Sequence, residues 1–168
     1  MNERKTLYKW YWVWEFEKEE RWLNEMAMDG WALCGVGFRR YTFERCEPGA
    51  YTVRLEMREP DAEYLDFMHE IGAEYLGRVV KWIYFRKRAE YGPFDLFSDL
   101  DSRIAHLDRI AKALWLIGLA NLLIGSVNCF DGHSIGVVNL LCATLLMYGL
   151  GRIEGKKEAL ERERELHE

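Results

Sequence analysis

The feature that most narrows what this chain can fold into is the stretch from residue 113 to residue 151, which contains no Lys or Arg and one acid, Asp131. It divides into two uncharged runs, 113–130 (ALWLIGLANLLIGSVNCF) and 134–151 (SIGVVNLLCATLLMYGLG), joined by Asp131-Gly132-His133. As a helix each run is about 27 Å long, enough to cross a thin bilayer core. The alternative, a buried helical hairpin within a soluble domain, usually carries a charged face, and these runs have none. A transmembrane hairpin is therefore expected, with the lipid bilayer as its partner. Arg103, Arg109 and Lys112 precede it, Arg152, Lys156 and Lys157 follow it, and the turn has no basic residue. That asymmetry predicts a cell-membrane protein with both termini in the cytoplasm. Gly118, Asn121, Gly125 and Asn128 form one stripe on the first span, and Gly136, Asn139 and Ala143 a second on the other. Small residues and amides at these spacings suit helix packing, within the hairpin or with a second copy. No ionisable group lies in mid-span, so a transport path is not expected.

Outside the hairpin the chain is dense in charge. Residues 1–112 hold 18 Lys/Arg and 21 Asp/Glu, and the whole protein carries a net charge of −5. With 49% hydrophobic residues this head can bury a core, and its acidic balance argues against nucleic acid as a partner. Residues 1–9 are polar and the aromatic run 10–14 is too short for a signal core, so a cytoplasmic head is expected. Cys34, Cys46, Cys129 and Cys142 have neither zinc-site nor dithiol spacing and read as reduced thiols.

Shifting the head by 42 residues brings it into register with itself: Trp22-Leu23 falls on Tyr64-Leu65, Met26 on Met68, Gly30 on Gly72, Gly35 on Gly77 and Phe43 on Phe85. Two copies of one supersecondary unit follow. The pattern predicts a strand over 7–14, a helix over 16–28, and a long strand over 31–45 bent at Gly35 and Gly37. Beyond a turn at Pro48-Gly49 come a strand over 50–58, a helix from Pro60-Asp61 to Gly72, and a last strand over 81–88, with a short piece at 74–79 ahead of it. The order is β-α-β-β-α-β, an α+β ferredoxin-like head with both helices on one sheet face. The expected organisation is a head over 1–90, a linker and connecting helix over 91–112 capped by Ser98 or Asp99, the hairpin over 113–151, and a charged tail over 152–168.

In that arrangement Trp10, Trp12 and Trp14 project from the open sheet face beside Arg54 and Glu56, with Trp82 and Tyr84 flanking them. An aromatic patch with an Arg and an acid suits three roles: stacking a flat apolar ligand, packing against a partner or a second copy, or serving as core beneath the connecting helix. A small enzyme using the same face as a cleft and a purely structural membrane scaffold are the further alternatives. The acids Glu15, Glu17, Glu19 and Glu20 read as a solvated first helical turn that favours the dipole. Gly35-Val36-Gly37 lacks the third glycine of a dinucleotide loop, and His69, His106, His133 and His167 form no metal motif. No catalytic residue, metal site or cofactor is expected.

Several words of the head, Trp12-x-Trp14-Glu15, Glu20-x-Trp22-Leu23-x-x-Met26, Gly30-Trp31-x-Leu33, Arg40-Tyr41-Thr42-Phe43-Glu44, Gly72-Ala73-Glu74-Tyr75, Trp82-x-Tyr84-Phe85-Arg86-Lys87 and Gly92-Pro93-Phe94-x-Leu96-Phe97-Ser98-Asp99, resemble a bacterial membrane family known only as a domain of unknown function. The resemblance implies a cytoplasmic head followed by membrane spans. Genes of such proteins often neighbour a PadR-type winged-helix repressor, which implies a protein partner in a regulatory system. It supplies no activity or catalytic residues.

Overall fold

A computed structural model describes residues 3–97 and 99–167. The chain forms two compact units, Met1–Leu96 and Phe97–Glu168.

In the first unit the elements are β1 (Arg4–Tyr8), α1 (Phe16–Met28), β2 (Trp31–Gly37), β3 (Arg40–Arg45), β4 (Tyr51–Met57), α2 (Ala62–Glu70), β5 (Ala73–Val79) and β6 (Trp82–Arg88). They make two antiparallel three-stranded sheets, ordered β1-β3-β2 and β4-β6-β5. The unit is thus α+β and twice β-α-β-β, and its strand order departs from the ferredoxin-like one expected. Two local events cause the departure. The predicted long strand over 31–45 folds back at Phe38-Arg39, where Arg39 takes φ 59°, giving the hairpin β2–β3. The predicted strand over 7–14 stops at Tyr8, because its partner β3 begins at Arg40 and the last bond of the pair runs from the Lys9 N–H to the Arg39 carbonyl. With no partner beyond that point, Val13–Glu15 coils into a 3-10 turn.

The duplication is visible in the backbone. Gly30 and Gly72 close the two helices with φ 81° and 82°, donating to Ala27 and His69. Only glycine adopts that conformation without cost. Both copies carry a bulge at the same place, between Leu33 and Gly35 and between Tyr75 and Gly77. The equivalent strands β2 and β5 run side by side where the copies meet.

Alternation along the strands sorts the core. Tyr41 and Phe43 of β3 face α1, with Trp22 edge-on to both rings. In β6, Ile83 and Phe85 join Met68, Ala73 and Phe94 in a cluster beneath α2, while Tyr84 and Arg86 point the other way into the junction with the first copy. β6 is buried on both faces, as a central strand between layers must be. The exposed edge of β4 is covered by α1: the Asn24 side chain bonds both the N–H and the carbonyl of Val53, and Glu20 accepts the Leu55 N–H. Asp61 caps α2 by accepting the Tyr64 N–H at 2.8 Å.

The second unit holds α3 (Leu100–Phe130) and α4 (Ile135–His167), packed side by side. Asp99 caps α3 through the Ser102 N–H; Ser98, the other expected cap, lies outside the described residues. The two helices are long and apolar enough to cross a membrane.

Replacing Gly30 or Gly72 by Ala should destabilise the first unit by about 1 kcal/mol or more through the positive φ alone. Gly30→Ala should cost more, because its Cβ would sit 3.1 Å from the Cys46 carbonyl oxygen, whereas at Gly72 it meets the Tyr91 ring, which can swing. Urea unfolding followed by tryptophan fluorescence tests the order, since six of the seven Trp lie in this unit.

Candidate functional site

The segment after β1 carries the aromatic run. Trp12 opens the 3-10 turn, its carbonyl accepting the Glu15 N–H at 2.8 Å. The turn brings the three rings into contact: Trp12 stacks on Trp14 at 5.1 Å, and Trp10 meets Trp12 edge-on at 5.3 Å and Phe38 at 5.9 Å. Trp10 and Trp12 are 45% and 39% exposed and Phe38 69%, while Trp14 is buried. The run is a ladder of rings descending from solvent into the fold.

A second row of rings lies alongside α1. Tyr11 packs on Trp22 at 6.0 Å and Trp22 on Tyr41 at 5.1 Å. The Lys9 ammonium rests on this row, 4.4 Å from the Trp22 ring centre and 5.1 Å from that of Tyr11. Inside it sits Glu19, 8% exposed, whose Oε1 accepts hydrogen bonds from Tyr41 at 2.8 Å and Tyr84 at 2.6 Å. No Lys, Arg or His among the described residues forms an ion pair with this carboxylate. Burial pushes the Glu19 carboxyl above the usual range, partly offset by the hydroxyls of Tyr84 and Tyr41. Burial and the Glu19 charge in turn raise both tyrosines, and Tyr11 is pushed up to about 12 by burial and then by Glu19. All three phenols are therefore neutral donors near neutral pH.

The two copies are tied together next to this site. Arg86 donates from Nε to Glu74 on its own sheet at 2.7 Å, and from Nη1 to Glu44 at 2.7 Å and the Leu33 carbonyl at 2.9 Å on the other. The Tyr51 ring lies 4.7 Å from its guanidinium. Burial works against the charge, but Glu74 and Glu44 more than compensate and hold Arg86 ionised.

The residues singled out in the sequence do not share one face. Leu55 pairs with Tyr84 and Met57 with Trp82, whereas Arg54 pairs with Phe85 and Glu56 with Ile83. Directly paired residues point to the same side, so Trp82 and Tyr84 lie opposite Arg54 and Glu56. Arg54 is engaged with Glu20 at 3.4 Å, and Glu56, buried, accepts from Tyr64 at 2.8 Å. Trp10, Trp12 and Trp14 lie beyond the end of β1 and not on a sheet face. Trp82 stacks on Phe16 at 5.5 Å.

Glu19 was hidden by its neighbours in an acidic run read as solvated. Its signal was helical spacing: Phe16, Glu19, Leu23 and Ala27 are the buried face of α1. Glu20 is likewise not solvated, being bound to β4, whereas Glu17 is exposed.

Of the hairpin residues, Gly118, Gly125, Gly136 and Ala143 are buried between α3 and α4. A Cβ on Gly118 would strike Met147, one on Gly125 would meet Leu140 at 3.0 Å, and one on Gly136 would meet Cys129 at 2.6 Å. Asn121 bonds back to the Ile117 carbonyl at 2.8 Å, and the Asn139 Cβ faces Gly125. Asn128 accepts the His133 N–H through its backbone carbonyl. No group of His, Cys, Asp or Glu among the described residues is arranged to hold a metal, and all four cysteines are free.

The raised Glu19 pKa fixes a pH dependence. Between the ordinary carboxylate range and the raised value the folded state binds a proton that the unfolded state has lost, so stability falls as pH rises through that window. Glu19→Gln should remove this part of the loss. Urea midpoints of wild type and variant from pH 4 to 8 check it, and the residual slope belongs in part to Glu20, which burial also raises.

No curated protein and no solved structure matches the chain. One family model does, over residues 15–119, a span that includes Glu19, Tyr41, Tyr84 and Arg86 and continues into α3. The match covers more than half of the sequence, and the chain therefore belongs to the family described as protein of unknown function DUF2812.

Proposed function

We propose that this protein is a membrane-anchored binding domain whose aromatic cluster takes a flat, apolar ligand and which acts by binding and not by catalysis. The observation that carries the reading is the ring ladder from exposed Trp10 and Trp12 to buried Trp14, running beside the Trp22–Tyr41 row. Half-exposed indoles are costly to leave in water and are suited to hold a planar apolar guest. Arg54 and Glu56, the polar pair an enzymatic cleft would have used, are bound to Glu20 and Tyr64 and lie on the opposite side of the sheet from Trp82 and Tyr84.

Anchoring is supported by what the hairpin leaves uncovered. Only 28% of the most apolar stretch of α3 and 17% of that of α4 is buried. Leu116, Leu123, Val127, Val138 and Leu141 are exposed on the outside of the pair, where a soluble core helix would be covered. The charged ends of both helices lie together, tied by Lys157–Asp108 at 3.3 Å and Arg164–Asp101 at 2.9 Å. With basic residues at both ends and none at the turn, this favours both termini in the cytoplasm. The repressor neighbourhood implied by the family resemblance favours a regulatory output, with ligand occupancy reported to a protein partner.

Native mass spectrometry of the protein extracted from membranes tests the reading. Wild type should carry an apolar small molecule that the Trp10→Ala/Trp12→Ala variant loses while its urea midpoint is unchanged. A ligand-free wild type that is dimeric, with the variant monomeric, would replace ligand binding by self-association through the same rings. Recovery of the intact protein in the supernatant without detergent would remove the membrane anchor.

A further inference from the structure

We propose that the ligand is an aromatic organic cation and that the Glu19 carboxylate is its counter-charge. The inference rests on the ligand-binding reading above and names the ligand's class.

Glu19 is more than nine-tenths buried, yet both of its tyrosine partners bond the same oxygen, Oε1. Oε2 has no hydrogen-bond partner among the described residues and keeps a little contact with solvent. A carboxylate withdrawn from water needs a cation or several donors, and here two neutral phenols are all the fold supplies. Everything else around it is suited to a cation. Tyr11 lies tilted on Trp22, Trp22 stands edge-on to Tyr41, and the chain's own Lys9 ammonium rests on the Tyr11 and Trp22 rings, so this edge of the fold already holds one cation by its ring faces. A bare metal ion is a poor occupant, because one free oxygen cannot replace its hydration shell. An organic cation carries its charge with an apolar body that the rings can hold.

The full chain in phosphatidylcholine nanodiscs, followed by tryptophan quenching, can be titrated with tetraphenylphosphonium and with triphenylphosphine oxide, a neutral compound of similar shape. Wild type should prefer the cation, and Glu19→Gln should weaken the cation about tenfold or more while leaving the neutral compound unchanged. Should Glu19→Gln fail to fold, wild type alone decides through pH. The titratable groups facing Glu19 are Tyr84 from β6, Tyr41 from β3 and Tyr11 from the segment ahead of α1, with the Lys9 ammonium on the Tyr11 and Trp22 rings. Burial keeps the three phenols protonated across pH 4 to 8, so affinity for the cation should fall as pH drops and Glu19 takes up a proton, and that of the neutral compound should not. Equal affinity for the two compounds, insensitive to Glu19→Gln and to pH, would overturn the cation and leave an apolar site. Failure of both to bind overturns the cation as well, and the native mass measurement then decides separately whether any ligand site exists.

Discussion

A guanidinium ties the two halves of this domain together at the seam between their sheets, beside the α1 side chains that bind β4. Arg86 comes from the second copy and reaches Glu74 on its own sheet, then Glu44 and the Leu33 carbonyl on the first. No ladder joins β2 to β5, so the junction depends on side chains rather than on backbone pairing. Arginine suits the task because its planar fork offers several donors in fixed directions and stays charged when buried. Glu44 and Arg86 also occupy the same position in the two copies, 42 residues apart. Equivalent positions of the two copies therefore meet at this contact, where identical residues of one charge would repel. The copies had to differ at this point for the junction to close.

The Glu19 site is a consequence of that junction. Its two tyrosines come from different copies, Tyr41 from β3 and Tyr84 from β6, and the carboxylate comes from α1. The counterpart of Glu19 in the second copy is Asp61, which caps α2 at the surface. The duplication therefore yields one buried carboxylate and not two. An uncompensated charge at the seam between halves is a strained arrangement unless something joins it, and the surrounding rings define what can.

Much of this was legible in the residues. The 42-residue period located both helices, both capping glycines and the position that became a bulge. The uncharged runs located the hairpin, and small residues such as Gly118 and Gly136 marked the side on which its helices meet. The expected site was only partly legible. Trp10, Trp12 and Trp14 do form an aromatic cluster, but through a 3-10 turn and not on a strand face. Arg54 and Glu56 would share a side with these rings only in a single-sheet head, and the head has two sheets.

What the sequence determined by itself was local: which stretches coil, which extend, where glycine must stop a helix, and which two runs form long uncharged helices. These follow from periodicity and from backbone sterics within a few residues of each position. The tertiary structure decided what depends on partners distant in the chain. The strand over 7–14 ended at Tyr8 because β3 had run out, and the strand over 31–45 became two because a hairpin let each copy complete its own sheet. Glu19 became a buried charge because β6, 65 residues away, supplied Tyr84 above it. Its carboxylate is chemically the same as those of its acidic neighbours, and only the layer placed over it made it different.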